Sequence, residues 1–319
     1  MLLSVVSVLV VQTLSARIGV VTKKGLGPVL SQRFKSKIAS VFLAVLVISA
    51  VFIGNISYEA GNFIGTSIGL NVFASYADLE IAKIVLIVGI AVLVFVLLFT
   101  GKYEFIENVL IFLVLAMAIL FIITAVVVRP DFLTILEGFF TFQVPSSQAW
   151  TTVTALMGTT VVPYNIYLHA STAAKKWKSE EDVEKSLKKS NVDSIITISL
   201  GGFISVCIII CAAATLQGTN IDSGVEMAKA LKPLVGPGAS IIFGLGMISA
   251  GLTSTITAPL AAAFASTGIL GWKEDLKSGK FKVFWIVVLL AGCVFACFLG
   301  GSPTVFIVFD QVTNTLLLP

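Results

Sequence analysis

The residues best equipped for chemistry sit where an apolar chain should least want them. Residues 158–171 read GTTVVPYNIYLHAS, with strongly apolar sequence on both sides. The stretch holds Pro163, Tyr164, Asn165 and His169, the last being the only histidine in the chain. Pro163 has no N–H, and its ring crowds the carbonyl four residues back, that of Thr159. Gly158 loosens the same turn, so the carbonyls near 158–160 are expected to lose their intrahelical partners. Freed carbonyls in a membrane must find another helix, water or a cation. Interrupted helices with polar groups around the break hold ions and substrates in many secondary transporters. Two readings stay open on physics alone: a proline kink satisfied by neighbouring helices, or a binding site. Asn165 and His169, four apart, share a helix face, which favours the site.

Other polar groups deserve the same question, because an ionisable residue at membrane depth is expensive. Glu59 lies in IGNISYEAGNFIGTS with Asn55 and Asn62 on its face. A carboxylate beside two amides suits a cation or a transferable proton; the competing reading is a wet glutamate near the outer surface. In FDQVTNTLLLP (309–319), Gln311 and Asn314 are three apart and can face one cavity, while Asp310 is a candidate for the outer mouth. Asp193 reads as an acid at a helix N-terminus, favourable with the dipole. Cys207 with Cys211 and Cys293 with Cys297 share faces at i, i+4 and are read as polarizable fillers of apolar helices rather than a soft-metal site. One histidine, no Cys/His cluster and no paired carboxylates at one depth argue against an enzyme.

The elements that position these groups must be membrane helices. Hydrophobic residues make up 57% of the chain and charged residues 12%, against roughly half and a quarter in soluble domains. The excess lies in runs such as IVLIVGIAVLVFVLLFT (84–100) and VLIFLVLAMAILFIITAVVV (109–128), long enough for a bilayer. Unpaired backbone is not tolerated in lipid, so the class is an all-α polytopic membrane protein. Nine hydrophobic segments are expected: 1–18, 38–70, 80–100, 105–128, 149–172, 190–217, 236–268, 282–300 and 303–319. In the second, the Gly-rich half (GNFIGTSIGLNVF) is expected to leave the span as a loop or short surface helix. Small residues in 244–268 and at Gly201–Gly202 suit close helix packing.

Charge sets the orientation. Of 21 basic residues, all but Lys83, Arg129, Lys229 and Lys232 fall in loops 17–37, 175–190 and 273–282 or at Lys102. Those loops are expected to face the cytoplasm. The net charge of +4 follows from this bias, so no nucleic-acid partner is implied. The first segment would then run from outside to inside without a signal peptide. That leads to the expectation of a further helix upstream and a truncated chain.

At this point the motifs resemble a known family. VVPYNIYLHAS resembles the sixth-helix signature of the Nramp divalent-metal transporters, usually Met-Pro-His-Asn-Leu-Tyr-Leu-His-Ser. VVQTLSARIGVVTKKGL, AGLTSTITAPLAAAFASTG and FDQVTNTLLLP resemble its second, eighth and tenth helices in order. The resemblance implies a LeuT-like inverted-repeat helix bundle, here incomplete, forming one transporter domain over 1–319. It also implies that the chain begins at the second family helix and ends within the tenth, so that the metal-binding first helix is absent. Its implied substrate is a divalent metal ion, with protons as a candidate co-substrate and no cofactor. Its implied location is a prokaryotic plasma (inner) membrane; oligomeric state is left open.

By this resemblance, Thr159, Val162 and Gln311 occupy metal-site positions, and Gly158, Pro163 and Asn165 support the break. Glu59, Asn62, Tyr164 and His169 line a proton or polar pathway. The family's metal-binding Met is Val162 here, its next His is Tyr164, and its third-helix Asp and Glu align with Glu59 and Asn62. Without thioether sulfur, an oxygen site suits Mg²⁺, Ca²⁺ or Mn²⁺. The expected activity is therefore transport of divalent metal cations (Mn²⁺ or Fe²⁺ or, given the lost Met ligand, Mg²⁺-like hard cations) by alternating access, with relaxed selectivity and weak or absent proton coupling. The alternatives are an amino-acid or sodium symporter of the same fold, and a non-transporting fragment.

Overall fold

A computed structural model of the chain describes residues 1–33, 36–77, 79, 81–100, 103–129, 131–141, 147–180, 182–216, 236–298 and 303–316. Lys35, Lys102, Lys229 and Lys232 of the charge pattern, and residues 317–319 of the last segment, lie outside them. Among the described residues there are only helices. They are α1 (Leu2–Thr22), α2 (Leu26–Arg33), α3 (Lys37–Tyr76), α4 (Lys83–Thr100), α5 (Tyr103–Val128), α6 (Phe132–Phe140), α7 (Ser147–Thr160), α8 (Pro163–Lys176), α9 (Val183–Leu216), α10 (Ala239–Ile269), α11 (Gly279–Phe298) and α12 (Pro303–Leu316), with one 3₁₀ turn at Gly236–Gly238. Each expected hydrophobic segment contains a helix, and segment 149–172 contains two. Six of the helices are long and apolar enough to cross a bilayer on their own.

The long helices α3 and α10 pack along each other and form the spine of the bundle. Small residues allow this: a Cβ on Gly69 would meet the Gly244 carbonyl at 2.7 Å. Around the spine, α4 and α11 close an apolar core of Phe63, Ile64, Ile256, Leu260, Trp285 and Leu289, all buried. The outer faces carry large exposed apolar side chains, among them Val85, Val92 and Phe99 of α4 and Phe42 of α3, as lipid contact requires.

Two expectations about these elements are corrected. The second segment does not break into a span and a loop; α3 is one unbroken helix of 40 residues. Its glycines serve packing: Gly61 faces Asp310, Gly65 faces Met247 and Gly69 faces Gly244. Asp193 does not stand at a helix start. It lies well inside α9, because the charged stretch 183–190 is itself helical, and it pairs with Lys176 at 2.7 Å.

Three of the basic loops meet at one end of the bundle. The Lys23 ammonium donates to the Trp177 carbonyl at 2.6 Å and to that of Glu180 at 3.2 Å. Lys175 donates to the Glu274 carbonyl at 3.3 Å. At this end Glu274 lies against Gly25, Gly268 and Ser171, and its buried carboxyl is shifted above the usual glutamate range by loss of solvent, which outweighs Ser171 and Lys175.

Candidate functional site

The chain path between α7 and α8 is interrupted as the proline predicts. The last regular bond runs from the Val161 N–H to the Met157 carbonyl at 2.8 Å. Val162 is then extended (φ −88°, ψ 119°), and Pro163 opens α8, a position where its missing N–H costs nothing. Helical bonding resumes with the Asn165 N–H on the Val162 carbonyl at 3.1 Å. Pro163 can give nothing to the Thr159 carbonyl. The negative end of the α7 dipole and the positive end of α8 therefore face each other across Val161–Val162. Each half has 14 residues, about 21 Å, so neither crosses the ~30 Å apolar layer alone.

The sequence-predicted residues fall into three environments around this break. The first is a cavity of about 1380 Å³ between α1, α7, α8, α9 and α10. Thr159 is exposed to it, and Asn165 and His169 line it. His169 Nε2 lies 3.4 Å from the Ser194 hydroxyl of α9. Gln12 of α1 also lines the cavity, with its side-chain oxygen buried and unpartnered. The motifs assign Gln12 no role, although a lone amide within the apolar run VLVVQTL is a usable signal.

The second environment is apolar. Val162 and Tyr164 turn away from the cavity into a cluster with Val47 and Val51 of α3 and Ala258, Ala261 and Ala262 of α10. Val162 can thus offer a cation only main-chain atoms, and its carbonyl already accepts from Asn165. The Tyr164 hydroxyl is buried without a partner, and its ring lies 5.7 Å from that of Tyr58, whose hydroxyl reaches Ser254 at 3.5 Å.

The third is the polar interior where α3 meets α11 and α12. Glu59 is 0% exposed, so it is not a wet interfacial residue. A Cβ on Gly292 of α11 would come 2.5 Å from its Cγ, and neither carboxylate oxygen closes a hydrogen bond. Asn62 approaches the carboxyl without reaching hydrogen-bond geometry, and Asn55 turns its amide to the Val51 carbonyl at 2.8 Å. Asp310 is likewise 0% exposed, which places it inside the bundle and not at an open mouth. Gln311 donates to Asp310 Oδ2 at 2.9 Å, and its own side-chain oxygen is buried and unpartnered.

Gly158 joins the break to this interior. The Gln311 main-chain carbonyl lies directly against it, and Thr315 donates to the Thr154 carbonyl at 2.6 Å. Gln311 is therefore brought to the break, whereas Glu59, Asn62 and Gln311 are not part of the cavity wall that holds Thr159, Asn165 and His169. Among the described residues, no group of three or more His, Cys, Asp or Glu is arranged to hold a metal. What the site offers is carbonyl, amide and carboxylate oxygen. The four cysteines lie on α9 and α11 and form no disulfide.

Comparison with known proteins agrees with this architecture. The family model described as natural resistance-associated macrophage protein-like (Nramp) matches residues 1–319. The chain is 28% identical to the divalent metal cation transporter MntH of Bradyrhizobium diazoefficiens, covering 100% of this chain and 71% of that protein. It is 26% identical to MntH of Aeromonas hydrophila, covering 95% of this chain and 72% of that one. In three dimensions it is similar to a histidine-to-alanine variant of the Eremococcus coleocola manganese transporter, with a TM-score of 0.72 at 16% identity, covering 99% of this chain and 68% of that one. The same transporter in complex with an aromatic bis-isothiourea compound matches with a TM-score of 0.70 at 17% identity, with the same coverage. The helix bundle is thus LeuT-like, and a family model matched from the first residue to the last shows that this chain belongs to the Nramp family, whose members are transporters and not enzymes.

Proposed function

We propose that this chain is a single transport domain over 1–319 that moves divalent metal cations across a prokaryotic plasma membrane by alternating access. The observation that carries the reading is the interruption at Val161–Val162, packed through Gly158 against Gln311. The Thr159 carbonyl and the free side-chain oxygen of Gln311 supply oxygen to the cation from the two sides of that contact. Gly158, Pro163 and Asn165 hold the break open: the first by admitting α12, the second by lacking an N–H, the third by capping the Val162 carbonyl. His169 and Asn165 line the route through the cavity, while Glu59 and Asn62 lie in the buried polar interior beside α12, apart from Tyr164 in its apolar cluster. The clustered basic loops 17–37, 175–190 and 273–282 face the cytoplasm.

Selectivity follows from the donor atoms. Val162 brings no sulfur, so nothing at the break favours a softer ion, and oxygen ligands suit Mg²⁺ and Mn²⁺ alike. Proton coupling is weak or absent, because Asn62 cannot release a proton and Tyr164 sits in an apolar pocket. Uptake by the full chain in liposomes, with Mn²⁺ outside and a pH dye inside, tests the reading. Excess Mg²⁺ should suppress Mn²⁺ entry with no change in lumenal pH. Saturable Mn²⁺ entry that ignores Mg²⁺ and acidifies the lumen would overturn the selectivity and coupling; no metal entry at all would overturn transport itself.

A further inference from the structure

One carboxylate in the bundle has no assigned task. Asp310 of α12 is fully enclosed, and no lysine or arginine among the described residues pairs with it. One of its oxygens accepts from the Gln311 amide at 2.9 Å; the other, Oδ1, is buried without a partner. One turn on, Asn314 is also 0% exposed, and neither its amide oxygen nor its nitrogen has a partner. Residues 310 and 314 share a helix face, and 311 and 314 are neighbours at i, i+3. Across the interface, Gly61 of α3 keeps this face open to Asp310: a Cβ there would lie 3.2 Å from Oδ2. The Ser57 hydroxyl, one turn earlier on α3, flanks the same carboxylate.

Buried amides and carboxylates ordinarily find hydrogen-bond partners, because leaving them without one is costly. Here three neighbouring oxygens on one helix, one of them a carboxyl oxygen, lack partners together. That is the complement of a hard cation: all-oxygen, with one carboxyl group held by the Gln311 amide. It has too few protein ligands to strip such an ion completely, so the cation would keep several waters, as Mg²⁺ prefers.

We infer that Asp310, Gln311 and Asn314 form an oxygen ligand set for a partly hydrated divalent cation, in which Asp310 supplies the charge and sets the preference for hard ions. This rests on the cation-transport reading above and adds to it a carboxylate ligand from α12. The step is ligation alone, with no bond made or broken in the protein.

The test uses the purified full chain in nanodiscs, with Mn²⁺ binding read from loss of the free-ion electron paramagnetic resonance signal and Mg²⁺ as competitor. Asp310→Asn, nearly isosteric, should weaken Mn²⁺ binding at least tenfold and abolish displacement by Mg²⁺. Asp310→Glu should restore part of both. Asn314→Ala keeps the charge and should weaken binding severalfold, so the inference stays testable if Asp310→Asn does not fold. Unchanged Mn²⁺ affinity in Asp310→Asn or in Asn314→Ala, with binding lost in Gln311→Ala, overturns the inference and leaves the transport reading standing. Unchanged metal binding with altered proton uptake also overturns it, since the carboxyl would then carry only a proton. A wild-type chain that binds neither Mn²⁺ nor Mg²⁺ overturns both.

Discussion

Gly158 of α7 and Gln311 of α12 touch main chain to main chain, one turn before the helix break. No side chain fits between them. A methyl group at 158 would overlap the Gln311 carbonyl and approach its carbonyl carbon at 2.8 Å, and backbone cannot swing aside as a flexible side chain can. Gly158→Ala should therefore push α12 off α7, at a cost of about 1–3 kcal/mol in stability, as overpacking typically does. Gly89→Ala is the comparison: nothing lies within 4 Å of its Cβ, so it should be neutral or gain up to ~1 kcal/mol from helix propensity. Thermal unfolding of both variants in the same detergent checks the contrast, and metal uptake should fall with Gly158→Ala alone.

The same seam is tied one turn further on. Thr315 donates to the Thr154 carbonyl at 2.6 Å across the α7–α12 interface. Interhelical hydrogen bonds in membrane bundles contribute about 0.6 kcal/mol on average. Thr315→Val keeps the shape and removes the donor, so the expected loss is small, about 0.5–1 kcal/mol. Thermal melts of Thr315→Val should shift by much less than those of Gly158→Ala; equal shifts would mean that the bond, and not close packing, holds the two helices together.

Much of the site was legible in the residues because proline acts locally. Pro163 removes one specific donor, and the break appears where that donor is missing. In the sequence Gly158 reads as a loosening of the turn, whereas its contact with Gln311 joins two segments far apart in the chain. The Gly-rich half of α3 departs from its sequence expectation for a related reason. In water, repeated glycine weakens a helix; in lipid, Gly61, Gly65 and Gly69 on one face admit α10 and α12 and keep the helix whole. Burial of Glu59 depends on Gly292 of α11, and burial of Asp310 on Gly61, so neither could be read from its own neighbourhood. Asp193 shows the opposite error: its surroundings looked like a helix start, but the helix had begun ten residues earlier.

The end where the basic loops meet should respond to pH through Glu274. Burial raises its carboxyl above an ordinary glutamate's 4.5, so between 4.5 and that raised value the folded chain binds more protons than the unfolded one. Stability supplied by this group is fully present below that window and falls as pH rises through it. Glu274→Gln keeps the main-chain carbonyl that accepts from Lys175 and removes the titration. The variant should be more stable than the parent at neutral pH, and the two should converge near pH 4.5. Melting curves from pH 4 to 8 read this directly; a parent that gains stability with rising pH relative to Glu274→Gln would contradict the assignment.

The two sides of the break should differ in their access to water. Thr159 opens onto the cavity, whereas Val162, three residues later, is 3% exposed and packed among alanines of α10. In a continuous helix, positions three apart lie on neighbouring faces and would share an environment. Here the extended Val162 rotates the chain, so α8 presents Tyr164 to the apolar cluster while Asn165 and His169 return to the cavity. Single cysteines at 159 and 162, in a background with Cys207, Cys211, Cys293 and Cys297 changed to alanine, would report this with a charged thiol reagent. Thiolate forms only where water reaches the sulfur. Thr159→Cys should therefore react at least about tenfold faster than Val162→Cys, and excess Mn²⁺ should slow Thr159→Cys if the cation rests against the adjacent carbonyl. Equal rates at the two positions would mean that the turn at Val161–Val162 does not separate a wet face from a dry one, and the cation route drawn through it would have to be abandoned.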